Sequence, residues 1–207
     1  MIKIENIDVW GFEHAIRGMR NPMNSWDKSD SELVPWDSTD IKLGKNDLDL
    51  MQRLYKAGTE HRKYLRQIFV SMDITAPLYW WKEFDTYKVG TTANSCSTMH
   101  KIHAKEFTLD DFSHEHLTGH STDILSLLIG DLNVYRNVYL KTKNKNEWWQ
   151  MIQLLPSSYN QRRTITMNYE NVMSMINQRE GHKLDEWREM VATLRTLPYV
   201  KEIRGEE

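Results

Sequence analysis

A single cysteine, Cys96, stands among the 207 residues. That scarcity excludes an internal disulfide framework and any cysteine-cluster metal site, and it makes a reducing cytoplasm the default compartment. No apolar run reaches the roughly 18–20 residues of a membrane helix. The opening MIKIENIDVWGFEHAIRGM lacks the unbroken apolar stretch of a signal peptide. Neither sign of charge is in excess: 27 Lys and Arg against 29 Asp and Glu give a net charge of -2. A dedicated nucleic-acid binder would show a basic surplus or stripe, so neither nucleic acid nor membrane is an expected partner. A glycine-rich phosphate loop, a dinucleotide fingerprint and a Ser-His-Asp order are also missing.

What is present has an ordinary globular balance, 40% apolar and 27% charged. The length suits one domain with a real core, spanning 1–207, with a long polar loop at about 20–46. The large side chains are less ordinary: 8 Trp, 9 Tyr and 11 Met. They fit a core of bulky residues, or some Trp and Tyr wall a pocket for a flat ligand.

Alternation at Ile2, Ile4, Ile7 and Val9 predicts a strand, and 11–19 a short helix. Asn46 or Asp47 can cap a helix carrying Leu48, Leu50, Met51, Leu54 and Tyr55 on one face, with Gly58 ending it. A second short helix is expected near Thr59. The β-branched and aromatic content of QIFVSMDIT predicts a strand at 67–75. Pro77 suits the first turn of the helix LYWWKEFDTYK. The hydroxyl-rich stretch 89–99 reads as a loop that can bring N–H groups and hydroxyls to an anionic ligand. Residues 122–141 form an amphipathic helix, EWWQMIQLL another, NQRRTITMNY a strand, and 169–180 and 183–196 the last two helices. Few strands among many helices make the class α+β.

Three constellations carry candidate chemistry. His116 and His120 would share a helix face and could chelate a metal with His114. Yet Leu117 stands where a zinc protease has Glu, and hydrogen-bonded histidines are favoured. Cys96 is either a nucleophile, with Lys88, His100 or His103 as base or cation, or a buried inert thiol. Arg162 and Arg163 point to opposite faces of a strand, so one can hold a phosphate or carboxylate. Arg179 and His182 follow at the end of the next helix.

Three stretches resemble the flavin-dependent thymidylate synthase family. ITAPLYWWKEFDTYKVGTTANSCSTMHK is similar to its strand, Ala-Pro, helix and signature: Arg-His-Arg, seven residues, then Ser. Those signature positions fall on Thr86, Tyr87, Lys88 and Cys96, and the Arg that normally follows falls on Thr98. LLPSSYNQRRTITMNYENVMSMINQRE resembles its Leu-Pro, strand, Asn and Leu-x-x-Arg helix, matching Asn168 and Arg179. NDLDLMQRLYKAG resembles the helix before its flavin loop, whose Glu-His falls on Arg66 and Gln67, with His61 one turn earlier.

The resemblance implies an α+β fold with a small antiparallel sheet and several packed helices. It implies a homo-oligomer, with a tetramer favoured, acting on a pyrimidine deoxynucleotide such as dUMP. FAD, NADPH and methylenetetrahydrofolate would be the cofactors. By the same resemblance Arg179 would stabilise charge on the uracil and Cys96 would be the second catalytic candidate. His61, Lys88, Asn168 and His182 would hold the cofactor, and Thr91, Ser95, Arg162 and Arg163 the substrate. Two other expectations stay open. One is a non-catalytic protein on the same scaffold that binds or sequesters a nucleotide or similar anion. The other is a structural, partner-binding protein using Trp26 and Trp36 of the 20–46 loop.

Overall fold

The strands expected at 67–75 and in NQRRTITMNY become the inner strands of one sheet, and the alternating 2–10 stretch becomes an edge strand. The computed structural model of the chain describes residues 1–34 and 41–206. In chain order these form strand β1 (Lys3–Trp10), helix α1 (Phe12–Arg20), short strands β2 (Glu32–Leu33) and β3 (Ile41–Lys42), and helix α2 (Lys45–Lys56). Strand β4 (Phe69–Pro77), helix α3 (Leu78–Phe84) and strand β5 (Thr91–Ser95) follow. Helices α4 (His120–Thr142) and α5 (Lys145–Leu154), strand β6 (Asn160–Asn168) and helices α6 (Tyr169–Arg179), α7 (Asp185–Arg195) and α8 (Val200–Arg204) complete the order. Four strands pair antiparallel in the order β1-β4-β6-β5. The α+β expectation holds.

Along β4, Val70, Met72, Ile74 and Ala76 are buried and their neighbours half-buried, the period of two that one covered face demands. On β6 the buried set is Gln161, Ile165 and Met167. The half-exposed polar side chains pair with one another: Thr166 Oγ1 donates to Ser71 Oγ at 3.3 Å, and Asn6 Nδ2 to Asp73 Oδ2 at 2.7 Å.

Several local expectations need correction. The stretch 89–99 is not all loop, because Thr91–Ser95 joins the sheet as an edge strand. Pairing with β6 supplies the backbone partners that its weak apolar pattern does not advertise. Neither Asn46 nor Asp47 caps α2. Gly44 is the cap residue, and the Asp30 carboxylate accepts from the backbone N–H of Asn46 (2.9 Å) and Asp47 (3.1 Å). A carboxylate brought from another segment thus does the work expected of a local one. The helix expected near Thr59 is a 3-10 turn at Lys63–Gln67. The Trp-Trp helix stops at Phe84 rather than running to Lys88. The loop at 20–46 holds 3-10 turns at Asn21–Met23 and Trp26–Lys28 and the β2–β3 pair. Trp26 is half-exposed, with its indole N–H on Asn21 Oδ1 at 2.8 Å, whereas Trp36 lies outside the described residues.

By compactness the chain divides into two units, with divisions falling inside β1, β4, β5 and β6 and after Thr86. The first comprises Met1–Lys3, Ile74–Thr86 and Asn94–Arg163, and the second Ile4–Asp73, Tyr87–Ala93 and Thr164–Glu207. In the first, α4 and α5 pack around Phe107, Phe112, Leu125, Leu132 and Met151. Trp80, Trp81 and Phe84 of α3 form a ring cluster with centroids 4.8–5.2 Å apart. In the second unit, α6 and α7 bury Tyr169, Val172, Met173, Met175, Ile176, Trp187 and Met190. There Arg20 and Asp47 form a buried ion pair at 2.6 Å.

Candidate functional site

The candidate residues fall in both units: at the two ends of α6 and in a separate cavity in the second, and around Cys96 and Arg163 in the first. In the second unit, the Asn168 side chain caps α6 by accepting from Asn171 N at 3.1 Å. Asn171 Nδ2 in turn donates to Val89 O and to Thr91 Oγ1, both at 2.9 Å. Between them Gly90 has φ +78, and a Cβ there would stand 2.6 Å from Asn168 Nδ2. Only glycine lets the turn come this close to the helix start.

At the other end of α6 the Arg179 guanidinium lies 4.7 Å from the Trp187 ring centroid and 5.6 Å from that of Tyr87. Its Nε donates to the Tyr87 hydroxyl at 3.0 Å, and that hydroxyl donates to Gln178 Oε1 at 3.1 Å. Ring faces attract the planar cation and hold it in one orientation. His182 packs against Trp187 with centroids 6.2 Å apart, and its Nδ1 accepts from Leu184 N at 3.2 Å. That bond leaves the proton of the neutral ring on Nε2. Lys88 is exposed in the turn before β5. His61 sits apart from this cluster, in a cavity of about 600 Å³ in the same unit, with Leu50, Leu54, Tyr64 and Gln67.

In the first unit Cys96 ends the edge strand. Its N–H donates to Arg162 O at 2.9 Å and its carbonyl accepts from Gln161 Nε2 at 2.8 Å. Gln161 Oε1 accepts from Arg163 Nε at 2.9 Å, and Arg163 Nη1 reaches Asp85 at 2.7 Å. The Arg163 guanidinium lies 4.2 Å from the Trp81 ring centroid. Arg163 thus faces the Trp-rich helix, whereas Arg162 on the opposite face is exposed. Ser95 is exposed beside them.

The Cys96 thiol is exposed, not buried. It opens on a cavity of about 260 Å³ with Lys101, Lys105, Phe107 and Tyr159. Burial, and then the charges of Asp111 and Cys96, push the Tyr159 hydroxyl above its ordinary range, so it stays protonated as a donor. The ammonium groups that share this cavity are Lys101 and Lys105, not the expected Lys88, and His100 and His103 line a different one.

The histidine chelate on one helix face does not form. α4 begins only at His120, after Gly119 at φ 45, so His116 lies in the preceding turn. His114 Nδ1 lies 2.8 Å from Phe112 O. Among the described residues no group of three or more His, Cys, Asp and Glu side chains is placed to hold a metal ion. No described helix is long and apolar enough to cross a membrane.

The sequence missed Tyr87, Asn171, Gln161 and Tyr159. Tyr87 was visible only as the middle position of the degenerate signature. Its partner Arg179 is 92 residues away, beyond any periodicity.

Comparison with solved structures settles the architecture. Two crystal structures of the flavin-dependent thymidylate synthase ThyX from Helicobacter pylori, both with FAD and dUMP, superpose with a TM-score of 0.67. The match covers 98% of this chain and 96% and 95% of theirs, at 14% sequence identity. The fold is that of the flavin-dependent thymidylate synthases. No protein-family model and no curated sequence matches the chain.

Proposed function

We propose that the protein binds a pyrimidine deoxynucleotide of the dUMP class on this thymidylate-synthase-like fold, with Arg179 at the base. The observation that carries the proposal is the Arg179 guanidinium resting against both the Trp187 and Tyr87 rings, at the position matching the family's base-contacting Arg. A fixed guanidinium stabilises negative charge on a uracil carbonyl without reorganising. The solved neighbours of the fold hold dUMP.

The residues fit the nucleotide better than they fit a flavin bound through the family's signature. At the three basic positions, the Thr86 hydroxyl donates to Glu83 O at 2.7 Å and the Tyr87 hydroxyl is spent on Gln178 and Arg179. Lys88 alone keeps a charge there. Each lost charged hydrogen bond forfeits roughly 1.5–3 kcal/mol. A binding or sequestering role is therefore favoured over dUMP methylation.

A flavin-dependent activity is the second reading, and the cavity of about 600 Å³ around His61 and Gln67 favours it. Bound FAD would supply hydride transfer, while this chain's side chains would position it and exclude water.

The test is a thermal-unfolding titration with dUMP, with inorganic phosphate as control, and a parallel incubation with FAD. Saturation at about 100 Kd stabilises by about 2.7 kcal/mol, which raises Tm by roughly 5–10 °C for a chain of this size. Arg179→Ala should abolish the shift, and Arg179→Lys, which keeps charge but not the fork, should lose most of it. No shift with any pyrimidine nucleotide overturns the proposal. Visible flavin absorbance retained after gel filtration would move the balance to the flavoenzyme.

A further inference from the structure

The connector KTKNKN, plain polar sequence between two helices, walls a cavity of about 310 Å³ in the first unit. Lys143 comes from the turn between α4 and α5, Lys145 from the first residue of α5, Tyr139 and Trp148 from the two helices, and His100 and His103 from the 96–108 segment. That segment is pinned twice: Trp148 Nε1 donates to Met99 O at 2.9 Å and Arg136 Nε to His103 O at 3.0 Å. The His103 ring packs edge-on against Tyr139 with centroids 4.9 Å apart. Its Nδ1 is buried and has no hydrogen-bond partner. An orphaned buried ring nitrogen is uncommon enough to need an explanation.

The charge around it is one-sided. Among the described residues no Asp or Glu lines the cavity. Among the described residues neither Lys143 nor Lys145 has a carboxylate partner; their ammonium groups lie 5.6 Å from the Tyr139 ring centroid and 5.9 Å from that of Trp149. Two ammonium point charges, two imidazoles and two aromatic walls suit a compact dianion attached to a ring. The volume is at the small end of small-molecule sites, and the whole chain carries a net charge of -2 rather than the basic excess of an RNA binder.

We infer that this cavity is a binding site for a small aromatic phosphomonoester. Lys143 and Lys145 meet the phosphate beside His103, and Tyr139 and Trp148 flank the ring. The site is separate from the Arg179 cluster and does not rest on it. Burial first, and then the charges of Lys143, Lys101 and Arg136, hold the His103 imidazolium below its ordinary range. His100 and Tyr139 are its other titratable neighbours in the cavity. A bound dianion opposes that bias and favours the imidazolium.

The experiment titrates the full chain with phenyl phosphate, with inorganic phosphate as the ringless control. Binding is read by tryptophan fluorescence and calorimetry. Saturable binding of phenyl phosphate, tighter than that of inorganic phosphate, is expected. The double variant Lys143→Gln, Lys145→Gln should weaken it about tenfold or more, with an unchanged circular dichroism spectrum because both side chains are exposed. No saturation at millimolar phenyl phosphate, or binding untouched by the double variant, overturns the inference. So does preference for a single-stranded oligonucleotide. Phenyl phosphate binding without any dUMP shift supports this site and removes only the nucleotide reading.

Discussion

Helix α4 runs 23 residues and buries only Leu125 and Leu132. Helix α6 runs 11 residues and buries Tyr169, Val172, Met173, Met175 and Ile176. Both are apolar at helical spacing, yet α4 leaves Ile124 at 52%, Leu127 at 72% and Val134 at 58% exposure. The difference teaches that periodicity reports which face could be covered, while burial depends on what packs there. α6 lies against α7 and the 3-10 turn at Lys63–Gln67, so its stripe is shut off from water. α4 has α5 on one side, and its other apolar stripe stays open among the described residues.

The largest effects that probe this contrast belong to the second unit. Asp47→Ala leaves the Arg20 guanidinium buried without its carboxylate, an expected loss of about 3–5 kcal/mol, measurable by urea unfolding. Met175→Ala opens a cavity in the closed face of α6 and should cost about 2–5 kcal/mol.

Acid should act in the same unit. Burial by itself would raise the Asp47 pKa, but hydrogen bonds from Ser31, Arg20, Ser29 and the Asp30 N–H outweigh it and hold it below 3.8. A depressed folded-state pKa contributes stability that is complete above the unfolded value and is lost as pH falls through the folded one. Unfolding monitored by circular dichroism should show that acid limb, and Asp47→Asn should flatten it.

The smallest effect belongs to α4: Leu127→Gln should change stability by no more than about 0.5 kcal/mol. A cost comparable to Met175→Ala would mean the open stripe is covered in solution, and the contrast between the helices would fail.

Much of this was legible in the residues. The β-branched and aromatic content of 67–75 and the alternation in NQRRTITMNY located the inner strands, and Ala-Pro, Asn168 and Arg179 carried the family resemblance that the fold match supports at the level of architecture. Local chemistry was less legible. Thr91–Ser95 has no strand-like apolar pattern, because an edge strand is held by backbone bonds to a neighbour remote in sequence. Asp47 looked like a helix cap because acid at a helix start usually is one, but the Asp30 carboxylate took that place and freed Asp47 to accept from Arg20, Ser29 and Ser31.

Short-range periodicity, proline placement and composition determined the class and most elements, and the family resemblance singled out Arg179. Tertiary structure decided what Arg179 rests on, that the Cys96 thiol is open to solvent, and that Lys143 and Lys145 share a cavity with a histidine whose Nδ1 has no partner among the described residues. Helical and strand periods are set by neighbours a few residues apart. Ion pairs, ring stacking and cavities are set by residues brought together across tens of positions, and no local pattern records them.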